Sequence, residues 1–243
     1  MDRPPQGRAG IADRHRPGRR HGGDDLLRGR RRQLAPGDHL SAGARFVHAL
    51  ALGLDPAWRR LPSDERCRTA EELCAAAAAW SLSPSLEGLE ERSAAVLRSG
   101  MGTWLEVRNS FLGIIQPSQY VKKPTPQEQS LFSGERSRYL VVYPFTKSSD
   151  WYLLGKEARQ GIMNEHMRVG HEHPEVRQLL ANSFGVDDMD FLVAYETDDL
   201  PAFGDLVRAL RGTDSRRSTV RDTPILTGIH RPLAEITALL GAR

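Results

Sequence analysis

The last hundred residues constrain the fold more than any other part of the chain. Short runs rich in Val, Leu, Tyr and Phe alternate there with two helix-length segments. Tyr139 to Phe145 is apolar enough for a buried strand, a helix is predicted from Gly155 to Gly170, and a strand from Val176 to Val186 follows Pro174. A turn at Asp187-Asp188 leads into a strand from Asp190 to Glu196. The next helix is predicted from Pro201 to Arg211, because a first-turn proline forfeits no hydrogen bond and Gly212 can close the end. Ser218 to Ile229 supplies a last strand. The order β-α-β-β-α-β is a ferredoxin-like unit of the α+β class. Both helices of such a unit cover one face of its sheet, so the other face needs a ligand, a second half of the chain or a partner.

Upstream, an apolar strand-like run spans Phe46 to Leu54 and a turn falls at Asp55-Pro56. Helices are predicted from Ser63, which can cap, to Trp80 and from Leu86 to Ser99, before a partly alternating strand from Trp104 to Ile115. Gln116 to Gly134, rich in Pro, Gln and Ser, reads as linker; the linker proper is set at 123–137 and the final unit at 138–243. Residues 1–40 contain no aromatic side chain, and their Gly, Pro and Arg content cannot offset ordering entropy, so a disordered basic arm is expected. Ten Arg against five Asp leave this arm at +5 while the whole chain is at +3, so the basic character belongs to the arm. Its arginines are interrupted by Asp and have no stacking residues among them, which argues against nucleic acid as partner.

No stretch reaches the roughly 18 apolar residues that span a bilayer, and the start has no apolar centre of a secretory signal, so a cytoplasmic protein without a membrane span is expected. Cys67 and Cys74 sit seven apart on one predicted helix, about 10 Å from each other, too far for a disulfide or a shared metal. Buried thiols are expected. His166, His171 and His173 invite a zinc reading, but residues five apart on a helix diverge by about 140° and residues seven apart are separated by about 10 Å, so they do not converge on one ion.

Tyr143-Pro144-Phe145, Lys147, Asp150-Trp151-Tyr152-Leu153-Leu154, Glu165-His166, and Ser183-Phe184-Gly185 with Asp187-Asp188 together resemble the chlorite dismutase family, which includes the coproheme decarboxylases. Asp55 to Pro62 and Pro117 to Val121 look like the family's first half, though only Ser81 to Ser85 remain where a hairpin belongs. The resemblance implies two ferredoxin-like units packed as a dimeric α+β barrel, with 41–122 a degenerate, incomplete first unit. It also implies a haem-dependent oxidoreductase that assembles as a homo-oligomer, commonly a pentamer.

The resemblance makes His166 the axial ligand of a haem iron, fifteen residues after Trp151. A neutral imidazole on a rigid helix suits that role; without the resemblance it is a surface histidine. Asp214, just past Gly212, is the candidate acceptor for the other ring nitrogen, or else a plain surface Asp. Tyr143 and Lys147 lie four apart on one strand and so share a face. By resemblance Tyr143 is the redox tyrosine and Lys147 lies near a reacting propionate; otherwise they are a strand-end Tyr and a solvated Lys. Trp151 is a pocket wall for a macrocycle or an ordinary core Trp.

Chlorite decomposition in the family needs a distal Arg. Counting back from Gly185 gives Gln178 at that place, with Arg177 one residue off and facing the opposite side, while counting forward from His166 gives Leu179. With Gln178 inward, the resemblance favours peroxide-dependent oxidative decarboxylation of iron coproporphyrin to haem b, the macrocycle being substrate and cofactor at once. Chlorite dismutase or general haem peroxidase stays open, as does a non-catalytic haem-binding or sensing module.

Overall fold

The computed structural model describes residues 45–76, 80–121 and 136–241. The arm expected at 1–40 lies outside them, as do the expected linker up to residue 135 and the side chain of Cys74. Cys67 is half-buried, against the expectation of a buried thiol.

The last part of the chain follows the predicted order, with altered ends. Strand β4 spans Tyr139–Lys147, then come a short helix Ser149–Leu153 (α3), helix α4 Lys156–His171, strands β5 Arg177–Asn182 and β6 Phe191–Thr197, and helix α5 Leu200–Arg211. Asp199 caps α5 by accepting from Ala202 N at 3.0 Å. β5 stops at Asn182 because Ser183 N donates to Asp190 O at 2.8 Å and Gly185, at φ 71°, reverses the chain. The single strand expected from Ser218 to Ile229 is two, β7 Thr219–Arg221 and β8 Leu226–Ile229. Both pair with β4, β8 opposite Tyr139 to Val142 and β7 opposite Thr146 and Lys147. Pro224, without an N–H, lies in the break between them.

The first part contains β1 Phe46–Leu54, α1 Ser63–Ala76, β2 Trp80–Ser83, α2 Leu86–Arg98 and β3 Leu105–Ile114. Helix α1 is shorter than the predicted 63–80, because Trp80 pairs with Ala49 and opens β2. The described strand at the place where the resemblance asks for a hairpin is the four-residue β2. A last helix, α6 Leu233–Leu240, has no counterpart in the sequence reading. Its Leu233 and Leu240 pack on the cluster of Trp58, Leu73, Val96 and Met101, and Arg66 Nε donates to Gly241 O at 2.6 Å.

All described strands join one antiparallel sheet in the order β2-β1-β3-β5-β6-β4-β7, with β8 also on β4. On a flat sheet β1 and β4 would stand four strands, roughly 19 Å, apart. Val47 and Ala49 of β1 instead share one core with Val142 of β4, Leu179 and Ala181 of β5, and Leu192 of β6. The sheet therefore curls, and the first part covers the face that the helices of the last part leave bare. β3 and β5 meet in one register pair, Ile114 with Asn182. Ser183 Oγ donating to Leu112 O at 2.8 Å and Leu112 N donating to Asp187 Oδ2 at 2.8 Å reinforce that seam. Gly113 permits the approach, since a Cβ there would meet the Ala181 Cβ at 2.6 Å.

Trp58 is fully buried, and its indole N–H donates to Thr69 Oγ1 at 3.3 Å. Trp58→Ala should cost about 3–5 kcal/mol, read as a lower urea midpoint; a change under about 1 kcal/mol would show that the first part of the chain adds little to stability.

Candidate active site

Alternation along β4, β5 and β6 sends Tyr143, Gln178 and Tyr195 to the sheet face opposite the shared core, under α4 and α5. Between that face and the two helices lies a cavity of about 670 Å³, within the size range of small-molecule sites. Phe145, Met163, Val193 and Val207 give it apolar walls, and stretches around residues 116–121 and 215–225 complete the lining. Tyr143, Lys147, Trp151, His166 and Gln178 all line it. Asp214 does not.

His166 sits on the cavity side of α4. Burial, then the nearby Lys147 ammonium, push its pKa down to about 4, while Glu165 pulls the other way. The ring is therefore neutral at pH 7. Its Nδ1 lies 3.4 Å from Thr213 Oγ1, a long contact. The single Thr213 hydroxyl proton goes to Leu210 O at 2.7 Å, so toward the ring this oxygen can act only as acceptor. That favours the tautomer with the proton on Nδ1 and the Nε2 lone pair free. The acceptor expected of Asp214 is thus occupied by its neighbour: Asp214 is exposed, pairs with Arg217 at 3.3 Å, and gives only its backbone N–H, to Glu165 Oε2. The short 3-10 segment Asp214–Ser218 turns Thr213 inward and Asp214 outward.

The free imidazole leaves a signature on stability. An unfolded His166 takes up a proton as pH falls through about 6.5, whereas the folded one resists until about 4. The unfolded state binds more protons in that window, so stability should fall as pH drops from 6.5 to 4. Denaturant titration of the unliganded chain should show a loss of at most about 3 kcal/mol there, absent in His166→Gln; equal pH slopes in the two proteins would contradict a buried neutral ring.

Lys147 is buried at the end of β4. Its ammonium donates to Ser215 O at 2.8 Å, Ser215 Oγ at 3.0 Å and Thr219 Oγ1 at 3.1 Å, and lies 4.8 Å from the centre of the Trp151 ring. Its acceptors are neutral, and burial together with Arg216 lowers its pKa to about 8. Trp151, itself 3% exposed, is both core and cavity wall. Tyr143 stacks on Tyr195 with ring centres 5.9 Å apart. Burial raises its pKa against the opposing effects of Tyr195, Arg211 and Arg216, which keeps the phenol protonated at neutral pH.

Gln178 faces inward from β5, opposite Tyr195. Arg177 faces away and binds Glu196 Oε2 at 2.7 Å, and Leu179 lies in the shared core. His171, at the end of α4, borders the cavity and His173 pairs with Glu175 at 3.4 Å. Among the described residues, no group of three or more His, Cys, Asp or Glu side chains converges on a metal position. No described helix is long and apolar enough to cross a membrane.

Sequence reasoning missed Thr213, Arg211, Arg216 and Asp222. Thr213 is one residue from the chosen Asp214, and only the turn geometry separates the two. Arg216 and Asp222 carry no local signal, since a 3-10 turn and a break between strands bring them to the cavity.

A family model described as chlorite dismutase matches residues 69–231. A coproheme decarboxylase from Mycolicibacterium smegmatis is 31% identical over 156 residues, 61% of this chain and 64% of that protein. A chlorite dismutase from Ideonella dechloratans is 27% identical over 147 residues, 57% of this chain and 52% of the relative. The matched segments thus span less than two thirds of either curated relative. Among solved structures, the chlorite dismutase from Candidatus Nitrospira defluvii in complex with imidazole superposes with TM-score 0.70 at 26% identity, covering 83% of this chain and 96% of that one. A cyanide complex of a substituted form of the same enzyme gives 0.74 at 24% identity, with 86% and 100% covered.

Proposed function

The chain belongs to the chlorite dismutase family, and from that membership we propose a haem-dependent oxidoreductase that holds iron coproporphyrin through His166 and uses peroxide to turn two propionates into vinyl groups, giving haem b. The observation that carries this reading is one cavity faced at once by a neutral imidazole, a phenol and an ammonium. The residues present fit an iron porphyrin: the lining is rich in apolar and aromatic side chains, and the imidazole is held unprotonated with the Nε2 lone pair available. When bound, the macrocycle supplies the redox chemistry.

His166 would hold the macrocycle through Nε2, with Thr213 behind the ring as a neutral acceptor for Nδ1–H. Each reacting propionate would lose its carboxylate as CO₂ together with two electrons and one proton, leaving a vinyl group, and one peroxide would take up two electrons and two protons to become two waters. Tyr143, kept protonated, can hand over an electron and a proton together. Lys147, charged below about pH 8, can hold a carboxylate or return a proton. Gln178 offers a neutral amide to the cavity.

Chlorite chemistry is the second reading. At the position that counting back from Gly185 gives for the family's distal arginine stands Gln178, and its neighbour Arg177 is turned away and ion-paired with Glu196; that supports decarboxylation over chlorite chemistry. Reconstituting the protein with iron coproporphyrin, adding peroxide and weighing the porphyrin tests the proposal. Stepwise loss of two carboxyl groups is expected. An unchanged mass would end it, and oxygen evolved from chlorite alongside an unchanged mass would move the assignment to the second reading. The same family reading makes the protein a homo-oligomer, and a monomer by light scattering would remove that part.

A further inference from the structure

We propose that Tyr195 is a positioning residue for Tyr143: its hydroxyl donates a hydrogen bond to the Tyr143 oxygen and so turns the proton of Tyr143 toward the porphyrin; this rests on the porphyrin reading above. Tyr195 is 5% exposed, and its ring belongs to the apolar cluster of Val141, Val176, Val193 and Leu206. Phe203 of α5 packs on it with ring centres 5.2 Å apart. A phenylalanine would fill that place without burying a hydroxyl, and a buried hydroxyl without a partner is costly. The hydroxyl that shares a hydrogen bond with it is that of Tyr143. Tyr195 stands opposite Val141 and Tyr143 opposite Val193, so the two are diagonal neighbours on one face of β4 and β6. Their rings stack with centres 5.9 Å apart and 26° between the planes, and both line the cavity.

The surroundings decide which phenol donates. Arg211 at the end of α5 and Arg216 in the 3-10 segment favour negative charge on the Tyr143 oxygen, Asp222 opposes them, and the hydrogen bond from Tyr195 acts with the arginines. Lys147 on the same strand and His166 on α4 border the same cavity, the first cationic below about pH 8 and the second neutral. Tyr195 is subject only to burial and to Tyr143, and both make it hold its proton harder. Tyr143 is thus the better acceptor and Tyr195 the donor. A phenol has one proton to give, and its O–H rotates to suit its partners. With Tyr195 on one side of the Tyr143 oxygen, the Tyr143 proton is left for the cavity. In the reaction Tyr143 passes one electron to the porphyrin oxidised by peroxide and one proton to a substrate carboxylate, and the neutral oxygen radical that remains keeps the hydrogen bond from Tyr195. Tyr195 itself loses neither electron nor proton.

The test places a fluorotyrosine at position 143 of the full, unliganded chain and follows its fluorine resonance as pH is raised. Tyr195→Phe keeps the ring and its packing and removes one oxygen. In that variant the labelled phenol should become about a tenfold weaker acid, the size of one lost hydrogen bond. Loaded with iron coproporphyrin, Tyr195→Phe should decarboxylate about tenfold more slowly once saturated, while its affinity for iron-free coproporphyrin stays that of the native chain. A titration of residue 143 that is unmoved, or moved to lower pH, would overturn the proposal, as would a loss of affinity or of urea midpoint with the titration in place, which would make Tyr195 a packing residue. The titration is read without iron or peroxide. A native chain inactive toward iron coproporphyrin would therefore remove the functional reading and leave the pairing of the phenols standing, whereas native activity with an unmoved titration would remove the pairing alone.

Discussion

His166→Ala, reconstituted with iron coproporphyrin, should lose the absorbance signature of an imidazole-ligated iron and at least about 100-fold of the decarboxylation rate. The scale comes from metal sites in which even a residue behind the ligand is worth about 10–100-fold, so removing the ligand itself must cost no less. The substitution should leave the chain folded. His166 makes one long side-chain contact, to Thr213, and its burial as a neutral base is a cost below pH 6.5 rather than an anchor. It also opens an imidazole-sized space at the cavity wall, so added free imidazole should recover part of the spectrum. A variant with the native spectrum would show that iron is held elsewhere and would remove the mechanism.

Tyr143→Phe is the second large effect. If the phenol supplies an electron and a proton, its loss should lower the rate by roughly 10²–10⁴-fold, the usual range for a positioned proton-transfer group. Affinity for the porphyrin should barely move, because the stack on Tyr195 at 5.9 Å needs only the ring. The contrast separates chemistry from binding: a drop in affinity with an unchanged rate in the saturated complex would make Tyr143 a wall of the cavity. Burial holds the phenol protonated, so its oxidation must be coupled to loss of that proton. Arg211, Arg216 and Asp222 set the field in which this happens.

Much of the site was legible without coordinates because its parts lie on regular elements. Tyr143 and Lys147 share a face of β4 by strand parity, and the same parity told Gln178 from Arg177. The residues that failed to show are those set by turns and by edges. Asp214 was the candidate because the resemblance asks for an acidic residue after the second helix, yet one residue of 3-10 turn decides which side chain points at the ring. The break between β7 and β8 was read as continuous strand, although Pro224 lacks the N–H a ladder needs; the proline marks where pairing lapses but not where the intervening residues go.

The sequence alone determined the β-α-β-β-α-β order, the imidazole on the first helix and the faces of each strand, since these follow from local periodicity and from the chemistry each residue carries. Tertiary structure decided the rest: the curl that seats Val47 against Val142, the docking of α6 on Trp58, and the meeting of Arg216, Asp222 and Lys147 around one space. These contacts join residues far apart in the chain. Their free energy depends on burial and charge shared between elements, and no local stretch of sequence encodes that.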